Sequence, residues 1–417
     1  MHASLFAGKI ITLSTLAFCA LIAVVGGVSV STANNGRVVM GVQSMGFSVA
    51  GMKKDEAFRF FEKTAANRIS NMSIVLQYGD RTWTIRPEEI NLRGNIDTAV
   101  QSAYAIGREG NMAENLLNQM RYAITGRSVE LTADYDRQLL AEKLQGIAGA
   151  IHTRPVDASV VLQPDGSITR TPCVIGRTLD TKPIAEALEP QLLALQRPGL
   201  ITLEPEEQAP GIVDADLASI DGILASYTTG FYSGDRGDNI AIAADHLNHV
   251  LVRSNTVFSF NNTVGQRTAN AGYKDAPVII DGKMEQDIGG GVCQVSSTLY
   301  NAVLLAGLTP VARTPHFYPS AYCPPGLDAT VADGLLDFQF RNQLPHNVYL
   351  LAGTYNNNLT IYILGTRADL EGNTITMESE GSSMQPSIYR VYTRNGQIIE
   401  REFMHTDSYS SPETSNE

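Results

Sequence analysis

The chain has 417 residues, a formal net charge of −12, a hydrophobic fraction of 43% and a charged fraction of 18%. The acidic balance argues against nucleic acid, and against a polyanionic wall polymer, as the principal ligand, because both would be repelled. A chain of this length is expected to form several folded units, since one hydrophobic core seldom serves so many residues.

An uncharged apolar segment, Ile10–Val30, follows Lys9 near the N-terminus. As a helix it is long enough to cross a hydrocarbon core of about 30 Å, so it is either a membrane anchor or a signal peptide. The apolar region of a signal peptide is usually shorter, and the length therefore favours a retained anchor, although cleavage near Ala33 stays open. We expect residues 1–37 to form a cytoplasmic stub, the anchor and a short linker. The protein is then a single-pass membrane protein whose C-terminal portion is extracellular.

A strand–turn–helix pattern predicts a small α+β module over residues 38–125. Strands are expected at Ser73–Tyr78 and Arg81–Arg86, joined by the turn Gly79-Asp80. The helical pattern of Asn95–Ile106 follows them.

The same order of elements predicts a second module over residues 126–204. A strand at Ala158–Leu162 precedes a helix at Pro183–Leu195, which Pro190 is expected to kink or split. Two related modules are one interpretation, and a chance similarity of strand–turn–helix units is the other. Residues 205–224 have the composition of a linker.

The C-terminal part predicts a β-rich domain around one central helix, over residues 225–365. A β extension at 366–407 and a disordered tail at 408–417 are expected after it. The predicted elements are a helix at Asn239–Val252, a strand at Pro277–Ile280 turning at Asp281-Gly282, and strands at Asp337–Phe340, Asn347–Ala352, Leu359–Leu364, Tyr389–Tyr392 and Gln397–Phe403. The fold class as a whole is α+β.

A glycine-rich segment, Gly289–Tyr300, delivers Cys293 to the start of a predicted helix. Gly290 and Gly291 would let a substrate approach the main chain closely, and the N-terminus of a helix lowers the pKa of a thiol. This pattern favours a nucleophile. The alternative is a buried structural cysteine, or a disulfide with Cys323.

The cysteine count supports a free thiol. Cys19 lies in the predicted anchor, which leaves Cys173, Cys293 and Cys323 outside it. Three cysteines cannot all pair within one chain, so at least one thiol is expected to be free in an oxidising compartment. No spacing of cysteines and histidines is typical of a zinc site, and neither a metal nor a cofactor is expected.

Several motifs together resemble the VanW family. They are Phe258-Ser259-Phe260-Asn261, Val264–Thr268, Gly272-Tyr273, the run Gly289–Leu308, Pro315-His316 and Pro324–Val331. The two upstream modules resemble peptidoglycan-binding-like repeats. The resemblance implies a cell-wall protein of Gram-positive bacteria that acts on peptidoglycan stem peptides. Some members are L,D-transpeptidases with a cysteine nucleophile, and the matching residue here is Cys293. The His-Gly-Cys signature of other L,D-transpeptidases is absent.

Catalysis by Cys293 would need a base, and His316 is our choice because Pro315 and Pro319 stiffen its loop. Asp328 and Asp337 are equal candidates to orient its ring. The N–H groups of Cys293 and Gln294 are the expected oxyanion donors, with the Gln294 side chain as a further one. The rival histidines are His246, His249 and His346.

Other residues are candidates for the pocket. Ser297 and Tyr300 share a helix face with Cys293 and are expected to line it, whereas Val295, Leu299 and Val303 are expected to be core. Arg267 and Tyr273 are candidates to bind substrate. For Arg267, bracing a turn is an equal alternative.

Three functions follow from these observations. The first is a cysteine L,D-transpeptidase that cross-links stem peptides through a thioester on Cys293. The second is a noncatalytic peptidoglycan-binding or scaffolding protein linked to the cell-wall or glycopeptide response. The third is a cysteine peptidase or amidase on the same peptides, in which water rather than an amine resolves the thioester.

Overall fold

The computed structural model describes residues 34–280 and 283–410, together with residues 25, 26, 28, 29 and 32. Most of the predicted membrane segment Ile10–Val30, the turn Asp281-Gly282 and residues 411–417 lie outside the described residues. Within the described part of the chain, no helix has both the length and the apolar character needed to cross a membrane.

The helices are α1 (Lys54–Ser70), α2 (Ile96–Ala105), α3 (Met112–Thr125), α4 (Arg137–Ile151), α5 (Lys182–Leu193), α6 (Asp214–Leu217), α7 (Asp235–Leu247), α8 (Phe260–Val264) and α9 (Val292–Leu305). The strands before residue 210 are β1 (Val42–Ser44), β2 (Phe47–Ser48), β3 (Ile74–Tyr78), β4 (Arg81–Ile85), β5 (Arg93–Gly94), β6 (Arg127–Ser128), β7 (Ala133–Asp134), β8 (Ser159–Leu162), β9 (Ile168–Thr171), β10 (Gly176–Thr178), β11 (Leu200–Thr202) and β12 (Glu206–Gln208). The later strands are β13 (Gly222–Gly230), β14 (Val250–Val252), β15 (Val257–Ser259), β16 (Asp275–Ile280), β17 (Lys283–Ile288), β18 (Thr309–Ala312), β19 (Gln339–Arg341), β20 (Val348–Tyr355), β21 (Asn358–Gly365), β22 (Thr374–Ser382), β23 (Gln385–Arg394) and β24 (Gln397–Thr406).

The chain forms two compact units, and the predicted α+β class is confirmed. The N-terminal unit comprises residues up to Arg154 together with Gly176–Gln208, and the C-terminal unit comprises Pro155–Ile175 together with the chain from Ala209 onward. One hydrophobic core in the N-terminal unit includes residues from both predicted modules, from Val38 to Leu203. The internal repeat and its boundaries stay a prediction.

In the N-terminal unit, α1 packs its apolar face against α2. Ala57, Phe61 and Ala65 of α1 recur at intervals of four residues and are all buried, so they form one stripe. The predicted β3–β4 hairpin and the helix α2 are confirmed, and β11 adds to β3 in parallel. The helix α5 is continuous through Pro190, so the prediction of a split helix is wrong. Pro190 removes one backbone hydrogen bond, but it lies in the last turn of α5 and so disturbs only the end of the helix.

The C-terminal unit is built on a four-stranded antiparallel sheet in the order β13-β21-β20-β14. Helix α9 contacts β13 and β21, and α7 packs on both α9 and β20. Val295, Leu299 and Val303 are fully buried, which confirms them as core. Because α9 is enclosed along most of its length, it holds its N-terminus, and Cys293 with it, in a fixed position.

Two short segments differ from the sequence predictions. The β8–β9 hairpin contributes Val160 to a small core with Tyr349 and Leu364, although the sequence placed it in the second N-terminal module. The stretch predicted as a linker, residues 205–224, contains β12, α6 and the start of β13.

The C-terminal extension is a three-stranded antiparallel sheet in the order β22-β23-β24. Strands β23 and β24 and their turn at Asn395-Gly396 are confirmed, and both turn residues have positive φ values, 52° and 77°. Strand β22 was missed. Tyr409, which the sequence placed in the disordered tail, is 6% exposed.

A glycine turn sets the start of α9. A Cβ on Gly290 would lie 2.6 Å from the carbonyl oxygen of Ala276 and 2.8 Å from that of Pro277. Gly291, the residue before the helix, has a φ of 109°, a conformation that other residues rarely adopt. Asn239, fully buried on α7, donates to the carbonyl oxygens of Gly290 (3.0 Å) and Lys274 (2.9 Å). The turn is therefore packed too tightly for a side chain.

We predict that Gly290→Ala lowers the free energy of unfolding by about 1–3 kcal/mol, because its methyl group collides with backbone rather than with a flexible side chain. The control is Gly353→Ala on β20, whose Cβ would meet nothing within 4 Å. Chemical denaturation measures both variants. Equal stability of the two variants would contradict the account of the turn.

Candidate functional site

Cys293 is the second residue of α9, and its thiol is free and partly buried. Its Sγ lies 3.4 Å from the carbonyl oxygen of Val331. Its N–H has no acceptor among the described residues, which is expected in the first turn of a helix. The sulfur and a free N–H donor therefore share one residue.

His316 is held beside Cys293 by Asp328. The carboxylate oxygen Oδ2 of Asp328 accepts from Nδ1 of His316 at 2.5 Å and from its backbone N–H at 2.6 Å. Since Nδ1 is engaged, Nε2 is the nitrogen that is left to face the thiol. The structure thus distinguishes the two aspartates that were candidates to orient His316. Asp337 accepts its hydrogen bonds elsewhere, from Ser259 Oγ and from the N–H of Asn261. Asp328 is the group that orients the ring.

The charges of the pair favour a thiolate and an imidazolium. Burial opposes a low thiol pKa, but a hydrogen bond from His316 and its positive charge hold the pKa of Cys293 below its usual value. Burial also opposes a charged imidazole, yet hydrogen bonds to Asp328 and Cys293 raise the pKa of His316 to about 9. Both shifts favour a resting pair in which the proton lies on the histidine.

Asp328 is 1% exposed, and its carboxylate oxygens accept hydrogen bonds from several donors. Its Oδ1 accepts from Nη2 of Arg313 at 3.1 Å and from the hydroxyl of Tyr409. Arg313 also donates to Asp407 at 2.6 Å. Burial raises the pKa of Asp328, but the hydrogen bonds from His316 and Tyr409 and the charge of Arg313 hold it below its usual value. The carboxylate stays ionised and can keep His316 charged.

Ser297 and Tyr300 do not line an open pocket, and that prediction is wrong. Ser297 Oγ donates to the carbonyl oxygen of Cys293 at 2.7 Å and accepts from the N–H of Ala329 at 2.9 Å. Tyr300 is 1% exposed, and the guanidinium of Arg313 lies 5.3 Å from its ring centre. Ser297 therefore braces the segment that carries Asp328, while Tyr300 packs against Arg313.

Gln294 is not available as an oxyanion donor, because its donors are engaged elsewhere. The side-chain amide donates to Thr229 Oγ1 at 2.9 Å and to the carbonyl oxygen of Gly230 at 2.8 Å. Its backbone N–H donates to the carbonyl oxygen of Gly291 at 3.0 Å. Of the two predicted N–H donors, that of Cys293 is the one left free.

Arg267 and Tyr273 are both largely buried. The guanidinium of Arg267 pairs with Asp333 and donates to Asn261 Oδ1 at 2.8 Å, so the alternative of a turn-bracing arginine fits the structure. Tyr273 is 3% exposed, and its hydroxyl has no hydrogen-bond partner among the described residues. Neither side chain is free at the surface to bind a substrate.

The rival histidines are bonded elsewhere or exposed. His249 Nδ1 lies 3.1 Å from the hydroxyl of Tyr349, and His346 pairs with Asp369 at 2.9 Å. His246 is exposed in the last turn of α7.

The described cysteines carry no disulfide. Cys323 is buried with its sulfur 3.1 Å from Ser320 Oγ, and burial raises the pKa of its thiol to about 12. The thiol of Cys323 is therefore held in its unreactive protonated form, whereas the lowered pKa of Cys293 favours its thiolate. Across the residues that the structure describes, no group of three or more histidine, cysteine, aspartate or glutamate side chains is arranged to hold a metal ion.

Sequence reasoning missed several residues of the site. The hydroxyl of Tyr322 lies 3.4 Å from Nε2 of His316, and burial together with the nearby Cys293 charge raises its pKa well above the usual value. Tyr322 therefore stays protonated, and its hydroxyl oxygen can accept from Nε2 of the protonated His316. Arg313, Asp407 and Tyr409 were also missed. They are distant from Asp328 in sequence or carry no motif, so only the fold brings them together.

Comparison with known proteins matches two parts of the chain. Residues 235–364 match the family described as "VanW like protein", and residues 83–198 match the family described as "Putative peptidoglycan binding domain". The chain carries a VanW-like domain preceded by a peptidoglycan-binding-like domain. Cys293, His316 and Asp328 all lie in the VanW-like domain, whereas Asp407 and Tyr409 follow it.

Two curated proteins are similar to the VanW-like domain. One is "Uncharacterized protein YoaR" of Bacillus subtilis, 45% identical over 140 residues, which are 33% of this chain and 46% of that protein. The other is "Vancomycin B-type resistance protein VanW" of Enterococcus faecalis, 32% identical over 134 residues, which are 30% of this chain and 49% of that protein. The chain spans about half the length of these relatives. No solved structure matches it significantly.

We predict that Cys293 is alkylated by iodoacetamide with a pH inflection below the ordinary thiol pKa of about 8.5, because His316 stabilises the thiolate. Asp328→Asn removes the charge that keeps His316 protonated, so the inflection moves to higher pH. Once the inflection lies above pH 7, the rate at neutral pH falls about tenfold for each further pKa unit. Mass spectrometry of the labelled peptide measures the rate at each pH.

The matched control for this prediction is Asp337→Asn, which changes the other candidate aspartate and leaves the Cys293–His316 pair intact. Its pH profile is expected to match that of the unmodified protein. An unchanged inflection in Asp328→Asn would contradict the assigned role of Asp328.

Proposed function

We propose that this protein is a cysteine acyltransferase of the cell wall, an L,D-transpeptidase that cross-links peptidoglycan stem peptides through a thioester on Cys293. The observation that carries the proposal is the arrangement of Cys293, His316 and Asp328, in which a partly buried thiol is activated by a histidine held by a buried carboxylate. A peptidoglycan-binding-like domain on the same chain supports a wall substrate.

The alternative of a noncatalytic scaffold would require an inert or bridged cysteine. Cys293 is unbridged and its thiol pKa is lowered, whereas the buried Cys323 has the properties of a structural cysteine. Burying an ionised carboxylate beside a histidine costs several kcal/mol before its partners offset that cost. The binding function of a scaffold does not require such a buried charge. These contrasts favour an enzyme.

In the first half-reaction, the thiolate of Cys293 attacks the carbonyl carbon of the donor peptide, and the carbonyl electrons move to oxygen. The free N–H of Cys293 donates to that oxyanion. When the intermediate collapses, the C–N bond breaks and Nε2 of His316 gives its proton to the departing amine. His316 therefore begins the cycle as an acid, because its pKa of about 9 keeps it protonated at neutral pH. A thioester remains.

In the second half-reaction, an amine of a neighbouring stem peptide attacks the thioester carbonyl. The now neutral His316 accepts the proton of that amine as the new C–N bond forms, and the C–S bond breaks to return the thiolate. Asp328 holds the ring in one orientation through both proton transfers. If water attacks in place of the amine, the same residues produce a peptidase or amidase.

The proposal includes an extracytoplasmic location. Stem peptides of the mature wall lie outside the cell, and the apolar segment Ile10–Val30 is predicted to hold the chain at the membrane with its C-terminal portion outside. The peptidoglycan-binding-like domain would keep the VanW-like domain close to its substrate by raising the effective local concentration.

We predict that Cys293→Ala abolishes both the covalent acyl adduct and the cross-linked product when purified protein is incubated with muropeptides. His316→Gln is expected to lower the rate of adduct formation by about 10²–10⁴-fold, because it removes the proton donor. Mass spectrometry of the intact protein and of the released peptides measures both. Cys173→Ala, which changes a thiol outside the site, is the control and is expected to retain activity.

The product identifies which reaction occurs. Cross-linked dimers support a transpeptidase, while shortened monomers alone would support the peptidase. Adduct and product that persist in Cys293→Ala would refute the nucleophile.

A further inference from the structure

Arg236, the second residue of α7, lies against the glycine turn that carries Cys293. A Cβ on Gly291 would lie 2.9 Å from the carbonyl oxygen of Arg236 and 3.0 Å from its Cγ. Gly291 directly precedes α9, and Cys293 is two residues further on. The backbone and side-chain stem of Arg236 are therefore fixed beside the start of the catalytic helix.

The guanidinium of Arg236 lacks a partner. Within the described residues of the C-terminal unit, the other arginines that are withdrawn from solvent are each paired: Arg267 with Asp333, Arg313 with Asp328 and Asp407, Arg390 with Glu402, and Arg394 with Glu371. Arg236 is also partly buried, yet it makes no hydrogen bond or ion pair with a described residue. An arginine cannot lose its charge, and the partly exposed guanidinium of Arg236, which has no partner among the described residues, keeps its donors available for an anion.

The carboxylates beside Arg236 in sequence are already engaged. Asp235 and Asp238 both accept from Nζ of Lys274, at 3.1 Å and 2.7 Å. Burial lowers the pKa of Arg236, and the groups close enough to raise it are instead Tyr322 and Cys293, both at the candidate site. Arg236 is thus a neighbour of the candidate site, and the contact of its stem with Gly291 fixes it there.

We propose that Arg236 binds the C-terminal carboxylate of the acyl donor, and so selects peptides that are cleaved at their last residue. In such a peptide the carboxylate lies three bonds from the scissile carbonyl carbon, about 4 Å away. A donor held by Arg236 through a bidentate ion pair would present that carbonyl to Cys293. This assignment rests on the proposed function and names the residue that sets its specificity.

The test compares two alkylating reagents that differ in charge, iodoacetate and iodoacetamide. Both react with the same thiolate, so the ratio of their rate constants at Cys293 is independent of the fraction of thiolate. Arg236→Met is expected to lower the iodoacetate-to-iodoacetamide ratio about tenfold or more, the effect of losing one charge-assisted contact. Arg236→Lys retains the charge and is expected to keep most of the ratio.

The control variant is Arg341→Met, which removes an exposed arginine without a side-chain partner among the described residues of the same unit. Its ratio is expected to equal that of the unmodified protein. Labelling is followed on the full chain at the Cys293 peptide by mass spectrometry, and protection of the buried Cys323 from iodoacetamide reports that each variant is folded.

A ratio in Arg236→Met within twofold of the unmodified protein would overturn the assignment, as would an equal fall in Arg341→Met. The experiment does not depend on turnover. A lowered ratio in a protein that never forms a cross-link would leave the carboxylate site standing and refute the transpeptidase instead.

Discussion

The site depends on one buried charge, the carboxylate of Asp328. Removing a carboxylate from water costs several kcal/mol, and partners must offset that cost. His316 supplies two of them, Arg313 and Tyr409 the others. The same contacts that stabilise the ionised carboxylate in the core also fix the imidazole of His316 and favour its protonated form. The activation of Cys293 and the packing of the domain are therefore two consequences of one arrangement.

That arrangement extends beyond the part of the chain that resembles known proteins. The matched VanW-like domain ends at residue 364, but Tyr409 and Asp407 come from the extension that follows it. Tyr409 also accepts from the N–H of Gly326, so its hydroxyl joins the Asp328 segment at two points. The extension is part of the structure that holds the candidate site, which explains why a region with no recognised motif is buried against it.

The sequence predicts those features that depend on local pattern. The glycine turn and the N-terminal position of Cys293 follow from conformational preference and helix periodicity, and His316 follows from its rigid loop. The choice between Asp328 and Asp337 could not be made, because both follow His316 in the sequence and the features that distinguish them are tertiary contacts. Ser297 and Tyr300 were correctly placed on the face of Cys293. Helix periodicity predicts which residues share a face, but it does not predict which segment packs against that face. In this structure the segment that carries Asp328 packs there.

We infer that Cys293 is a thiolate at neutral pH because His316 holds the proton. The most direct measurement is the ultraviolet absorbance of the thiolate, taken as the difference between the protein and Cys293→Ala across a pH titration. We predict a thiolate signal that is present at pH 7 and is lost only on acidification. A signal that rises with the ordinary thiol pKa of about 8.5 would contradict the account.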